Sequence, residues 1–383
     1  VRDLQPQAAQ AQVQELARAA AQDLLAPSAT ANDRDERFPE DAMRHLARSG
    51  LFGINVPKAY GGLEAGVVAY ALAVRELASA CAGTTVGLMV TNMVAEAITR
   101  FGDESQRQRW LPGLLSGAHA AASFCLSEPG SGSDAASLRA TARREGDDYV
   151  LDGTKAWITS GGRAGLYLVM ARTSPDGGSR GISAFIVEAG TPGLSATKPE
   201  DKLGMRASVT TQIVLDGCRV PAANRLGDEG DGFKVAMGSL DGGRIGVAAQ
   251  ACGIAAAAQR CAIEFAQGAR ADGSALSEQQ SAQWLVADNA VELDAGWLLV
   301  LRAAALKDKG APHSREAAMA KVFCTEMASE VASRALQVLG EAGEDSRYSA
   351  ERNLRDARVT RIYEGTSEVQ RIVIARECLK ALS

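Results

Sequence analysis

The chain reads as an α+β protein in which a β domain lies between two helical domains, and three changes of texture predict it. From Leu4 to about His119, apolar residues recur at helical spacing, as in "VQELARAAAQDLL" and "VVAYALAVRELASA", with Pro57, Gly61 and Gly62 as breakers. From about Ala120 to Leu226 the pattern turns to short β-branched or alternating runs between turn residues, such as "LYLVMART", "GISAFIVEAG" and "TTQIVLDGCRV". From Asp231 onward long helical stretches return, including "REAAMAKVFCTEMASEVASRALQVLG". The expected domains are therefore 1–119, 120–230 and 231–383.

Composition narrows the class. At 383 residues the chain exceeds one small core, and 46% hydrophobic against 23% charged residues is the balance of a folded globular protein. A formal charge of −5 without any Lys or Arg run offers no basic field, so nucleic acid is not an expected partner. The longest apolar tract, Val247 to Ala258, is interrupted by Gln250 and flanked by Arg244 and Arg260, too short to span a bilayer. The first residues carry charges and glutamines throughout and lack a signal-peptide core. Seven cysteines without a C-x-x-C pair fit a reducing interior. A soluble protein of the bacterial cytoplasm is expected, and a processed mitochondrial matrix protein would read similarly. The three histidines, at 45, 119 and 313, are far apart and in no ligand pattern, so no metal site is expected.

Three stretches carry chemistry. In "FCLSEPGSGSDAAS", Phe124 to Ser137, Pro129, Gly130 and Gly132 force a turn, while Ser127, Ser131, Ser133 and nearby amides cluster donors that suit a phosphate or a polar ring edge. The loop also fits a plain solvent turn, and it is not the G-x-G-x-x-G of a nicotinamide site. In "KAWITSGG", Trp157 and Thr159 are two residues apart in a strand and so share a face. Such a Trp is core, or the wall of a planar heterocycle. In "RIYEGTSEVQR", residues 361 to 371, Glu364 precedes the permissive Gly365, with Thr366 and Ser367 next. Taken alone, that stretch fits a helix start capped by Thr366 or Ser367 better than a site.

Together and in this order, "CLSEPGSGSD", "WIT", "LDGGRIGVAAQACGIA" (240 to 255) and "ERNLRDARVTRIYEGT" (351 to 366) resemble the acyl-CoA dehydrogenase family of flavoproteins, close to its short-chain, butyryl-CoA dehydrogenase-like members. The resemblance implies N-terminal helices, a barrel-like or sandwich middle domain and a C-terminal four-helix bundle. It implies FAD as cofactor, lined by Phe124, Leu126, Ser127, Gly132, Ser133, Trp157, Ile158 and Thr159, and touched again by Thr366, Ser367 and Glu368. Gln280, Gln337 and Gly340 would belong to an adenosine site shared between subunits. Ser133, Asp241, Arg244 and Gly365 would contact the acyl-CoA, and Glu364 would be the general base. A homotetramer built as a dimer of dimers, with an electron-transferring flavoprotein as electron acceptor, is implied as well.

The implied reaction is FAD-dependent α,β-dehydrogenation of a short- or medium-chain acyl thioester to the trans-2-enoyl thioester. Removing the thioester α-proton needs a base within hydrogen-bond reach, and a carboxylate in a dry pocket has its pKa raised towards neutrality for that task. One branch of the family places its base at the "LDGGR" segment; here Leu240 and Gly242 are not bases, which keeps Glu364 in the role and argues against the isovaleryl type.

The chain also departs from the family pattern. "ARADG", Ala269 to Gly273, stands where an R-x-Q-F-G stretch is usual, so Ala269 replaces a diphosphate-binding arginine and Asp272 an aromatic. Glu341 occupies the second of two usual glycines, and Glu344 an aromatic position. Losing a cation and gaining a carboxylate near a diphosphate both disfavour anion binding, so weaker FAD retention is expected. Two alternatives follow: an acyl group tethered to an acyl carrier protein rather than CoA, and a non-catalytic homologue with eroded FAD contacts.

Overall fold

Alanine-rich, breaker-poor segments form the helices here, and β-branched runs punctuated by glycine form the strands. The computed structural model describes residues 6–268 and 274–380. Six helices come first: α1 (Ala8–Ala20), α2 (Ala26–Arg34), α3 (Glu40–Arg48), α4 (Gly66–Ala80), α5 (Ala82–Phe101) and α6 (Glu104–Leu115). Eight strands follow: β1 (Ala122–Cys125), β2 (Thr141–Glu145), β3 (Asp148–Thr159), β4 (Leu166–Arg172), β5 (Ile182–Glu188), β6 (Leu194–Ala196), β7 (Thr210–Pro221) and β8 (Arg225–Leu226). The chain then returns to helix with α7 (Gly232–Gln267), α8 (Gln280–Asp308), α9 (Ser314–Leu339), α10 (Ala350–Thr360) and α11 (Ser367–Lys380).

The strands form one sheet in the order β6-β7-β3-β2-β4-β5-β8, with β1 added parallel to β4. One face closes on its own core, which includes Tyr149, Leu151, Tyr167, Val169, Phe185 and Ile213. The alternate residues of β4 and β5, among them Leu168, Met170, Ala184 and Ile186, pack instead into the helical core. This two-sided burial explains why both strands read as continuous apolar runs rather than as alternating ones.

Among the helices, α5 is buried along most of its length and α7 runs through the centre. Small residues let neighbours approach α7: a Cβ at Gly253 would lie 2.5 Å from the Arg75 carbonyl, and one at Gly246 would lie 2.6 Å from the Tyr70 hydroxyl. Asp308, the last residue of α8, accepts the Val67 and Val68 amides at 2.6 and 3.1 Å and so satisfies the exposed N–H groups that open α4. One junction joins all three parts. Asp356 of α10 accepts the Met205 amide at 2.5 Å, while Arg355 binds Asp33 of α2 at 2.8 Å and the Leu203 carbonyl at 3.1 Å. Gly204 has no room for a side chain there, since its Cβ would sit 2.3 Å from the Arg355 carbonyl. Among the described residues, no helix is long and apolar enough to cross a membrane.

Candidate active site

The three chemical stretches, far apart in sequence, meet at one cavity of about 270 Å³. Its walls include Phe124, Leu126, Ser127, Gly132 and Ser133 from the Gly/Ser loop, Trp157, Ile158 and Thr159 from β3, Arg244 from α7, and Glu364 and Gly365 from the turn before α11. Val90, Met93, Phe233, Met237 and Leu240 make the remaining surface largely apolar. The Gly/Ser loop thus supplies part of this wall while Gly132 and Ser133 stay exposed.

A buried ion pair that the sequence did not announce holds that loop. Lys155, fully buried on β3, donates to Glu128 Oε1 at 2.8 Å and to the Leu126 carbonyl at 3.2 Å. The Glu128 carboxylate also accepts the Arg139 and Ala140 amides at 2.6 and 2.9 Å, which ties the two ends of the loop together. Burial alone would raise the pKa of Glu128, but Lys155 and those two amides reverse the effect and hold it below its ordinary value. Three donors around the carboxylate, and the Leu126 carbonyl as a second acceptor for Lys155, offset the burial of both charges.

On β3 the regular alternation expected for Trp157 and Thr159 does not hold. Trp157 has φ of 60°, and the register with β7 shifts between Lys155 and Ile158. The bulge turns the indole out of the sheet core, leaving Trp157 65% exposed, and Ala156 through Thr159 all face the cavity. A strand tryptophan with that much open surface is a ready wall for a planar ring.

Glu364 sits in another left-handed position, with φ of 54°, followed by Gly365 at 93°. Strained backbone of this kind persists only where surrounding contacts over-determine it. Here Gln370, fully buried, donates from Nε2 to the Gly365 carbonyl at 2.8 Å and the Glu364 carbonyl at 3.2 Å. Lys321, also fully buried, donates to the Gly365 carbonyl at 2.8 Å. The Tyr363 hydroxyl donates to Gln250 Oε1, and Gln250 Nε2 donates to the Ala82 carbonyl at 3.0 Å. The Glu364 carboxylate itself lies over α7 at Gly243, where a Cβ would be 2.0 Å from Oε2. That oxygen is buried without a hydrogen-bond partner. Burial raises the pKa of Glu364 to about 7, with Lys321 and then Arg244 pulling the other way.

The other expected site residues separate. Asp241 and Arg244 bind each other at 2.7 Å; Arg244 reaches the cavity, while Asp241 also accepts Ser314 Oγ at 3.2 Å and lies outside the lining. Thr366 stands as the residue before α11 and accepts the Val369 amide at 3.4 Å, so the capped-helix reading of this stretch holds alongside its place next to the cavity. Ser367 is buried, Glu368 is exposed, and neither lines the cavity. Gln337 and Gly340 line a second, outer cavity of about 840 Å³ with Glu264, Ser281, Glu341 and Tyr348. Gln280, one residue before Ser281, is exposed at the start of α8. Ala269 and Asp272 lie outside the described residues.

Sequence reasoning passed over Lys155, Glu128, Lys321, Gln370, Gln250 and Gly243. A lysine inside an otherwise apolar run, as in "AAMAKVF", is the one sequence signal that pointed to any of them.

A central sheet flanked by helices, with a buried carboxylate and a solvent-open tryptophan lining one cavity, belongs here to a chain that three oxidoreductase family models match in order. They are the acyl-CoA dehydrogenase N-terminal domain over residues 7–118, the middle domain over 123–218 and the C-terminal domain over 230–379. The chain belongs to the acyl-CoA dehydrogenase family. It is 44% identical over 358 residues to the short-chain specific acyl-CoA dehydrogenase, mitochondrial, of Mus musculus, covering 93% of this chain and 87% of that one. It is likewise 44% identical to an acyl-CoA dehydrogenase of Bacillus subtilis, covering 93% and 94%. The butyryl-CoA dehydrogenase structure from Megasphaera elsdenii superimposes with a TM-score of 0.96 at 39% identity, covering 98% of this chain and 100% of that one.

Proposed function

We propose that this protein dehydrogenates a short acyl-CoA at its α,β bond with FAD as cofactor, and that Glu364 is the general base. The observation that carries the reading is the Glu364 carboxylate: buried, unpartnered at Oε2, and facing a cavity walled by Trp157 and Thr159. The lining fits a flavin, since Trp157 offers an open apolar face and Ser127, Ser133 and Thr159 bring hydroxyls to the same cavity. Phe124, Leu126, Ser127, Gly132, Ser133, Trp157, Ile158 and Thr159 would hold it. When bound, the flavin supplies what no side chain can, acceptance of the β-hydride.

The protein's own share is proton transfer and positioning. The thioester α-proton passes to the Glu364 carboxylate, whose raised pKa matches a base working near neutral pH. Apolar walls from Val90, Met93, Met237 and Leu240 exclude water from that transfer. The Gly365 carbonyl is already held by Lys321 and Gln370, so the turn that aims the carboxylate is fixed before substrate enters. The product is the trans-2-enoyl thioester.

A short acyl group is favoured by how the cavity closes. Met93, in the cavity wall, also borders a small neighbouring pocket walled by Asn55, Tyr70, Asn92, Glu96 and Lys307. Lys307 Nζ and Glu96 Oε1 are 2.5 Å apart there, so a longer chain would have to displace a largely buried ion pair. The carrier-tethered and non-catalytic alternatives are not favoured, given the 44% identical relatives and the complete inner site. Trp284, Val291 and Leu298 expose an apolar stripe at seven-residue spacing along α8, which supports a homotetramer. An electron-transferring flavoprotein as acceptor and a bacterial cytoplasmic location complete the reading.

An anaerobic visible spectrum of the FAD-loaded protein titrated with butyryl-CoA tests it. Bleaching of the oxidised flavin band with a new long-wavelength charge-transfer band is expected. A flavin band that ignores the thioester would refute the substrate, and failure to bind flavin would refute the enzyme.

A further inference from the structure

Lys321 is a buried cation with an incomplete set of partners. It lies on α9 with no exposure, and among the described residues its ammonium makes a single hydrogen bond, to the Gly365 carbonyl at 2.8 Å. Among the described residues no carboxylate is within ion-pair distance of it. A buried ammonium without a counter-charge is costly, so the charges that face it decide what it does. Those are Glu364 on the turn it pins, Arg244 on α7, Glu368 on α11 and Glu326 on its own helix. Glu326 is engaged elsewhere, accepting both guanidinium nitrogens of Arg371 at 2.7 Å and lying 3.8 Å from Arg361. Glu368 is exposed, and Arg244 repels. Glu364 is left as the counter-charge, and it is the leading attraction on Lys321, just as Lys321 is the leading attraction on Glu364.

We propose that Lys321 is a positioning residue for the reaction: its ammonium pins the Gly365 carbonyl so that the Glu364 carboxylate faces the cavity, and its charge favours that carboxylate in the ionised, proton-accepting form. The inference rests on Glu364 being the base. Two independent features of the geometry carry it, the hydrogen bond to a carbonyl beside two consecutive left-handed residues and the burial of the ammonium with, among the described residues, no carboxylate at ion-pair distance. The titration agrees in direction. Burial lowers the pKa of Lys321 to about 8 and raises that of Glu364 to about 7, so the pair carries opposite charges between those values, with each stabilising the charged form of the other.

Three substitutions separate the pin from the charge. Lys321→Gln can keep a donor for the Gly365 carbonyl without the charge, Lys321→Arg keeps a charge, and Lys321→Met removes both. The readout is the pH profile of kcat/KM for butyryl-CoA on the FAD-loaded enzyme, with flavin content checked by its absorbance. Removing the cation disfavours ionised Glu364, so the rising limb should move up by about one pH unit in Lys321→Gln and Lys321→Met, roughly a tenfold loss at fixed pH below the limb. Lys321→Met should also lose kcat beyond Lys321→Gln, with KM changed less than kcat. Lys321→Arg should bring the limb back towards the parent. If Lys321→Met does not fold, Lys321→Gln and Lys321→Arg decide the matter. A limb unmoved in Lys321→Gln, with flavin retained, overturns the proposal. The Glu364→Gln variant distinguishes the two failures: full turnover there sinks the base assignment itself, whereas an inactive Glu364→Gln beside an unmoved Lys321→Gln limb sinks only the role of Lys321.

Discussion

The inner cavity and the outer cavity of this molecule are opposites. The inner one is walled by residues from three parts of a single chain, has Arg244 in its wall and Lys321 close behind it, and its left-handed turn at Glu364 and Gly365 is held by hydrogen bonds from Lys321 and Gln370. The outer one, at the ends of α7 and α9, is three times larger, and its described lining includes Glu264 and Glu341 but no Lys or Arg. The described walls of the inner cavity thus bring a base candidate and a cation together within one chain. Among the described residues the outer one offers carboxylates and no cation to an anionic ligand.

The largest way to break this contrast is at the base. Glu364→Gln should cut kcat by about 10³-fold or more while flavin binding persists, as single-turnover kinetics and absorbance will show. The same variant carries a stability signature. Because the folded-state pKa is raised to about 7, the parent is not penalised below the unfolded carboxylate value and loses stability as pH climbs through 7. Glu364→Gln should therefore be more stable than the parent by about 1–3 kcal/mol at pH 8, and the difference should vanish near pH 4, in denaturant melts at equal flavin load. A smaller loss is expected from Gly243→Ala, whose Cβ would fall 2.0 Å from Glu364 Oε2 and displace the carboxylate; about 10²-fold in kcat/KM fits a misplacement of that size.

Sharpening the inner site, the paired change Glu96→Leu with Lys307→Met should raise the hexanoyl-CoA to butyryl-CoA ratio of kcat/KM by about tenfold, the worth of a methylene or two in an apolar pocket. The smallest effect belongs to the outer cavity. Glu341→Gly removes a carboxylate from its wall and should tighten FAD retention a few-fold, measured as flavin lost on long dialysis.

What could be read from the sequence follows from which features are local. Glu364, Trp157 and the Gly/Ser loop announce themselves because glycine and proline mark their turns within a few residues. The helix, sheet, helix order is equally local, being a matter of hydrophobic period. Lys155 with Glu128 and Lys321 with Gly365 are 27 and 44 residues apart, and no period links them. Trp157 shows the opposite failure. Counting two residues to Thr159 assumes a regular strand, and the positive φ at Trp157 removes that regularity at the position where the site needs it.

The junction at Asp356, Arg355 and Gly204 bears on how the chain can be cut. Helix α2, the loop before β7 and α10 share one set of hydrogen bonds, and Asp356 is almost fully buried within it. Severing any one part would strand a charged group in a freshly exposed seam, so fragments ending between the three parts should aggregate rather than fold. For anyone dissecting the protein, the smallest useful unit is the whole chain.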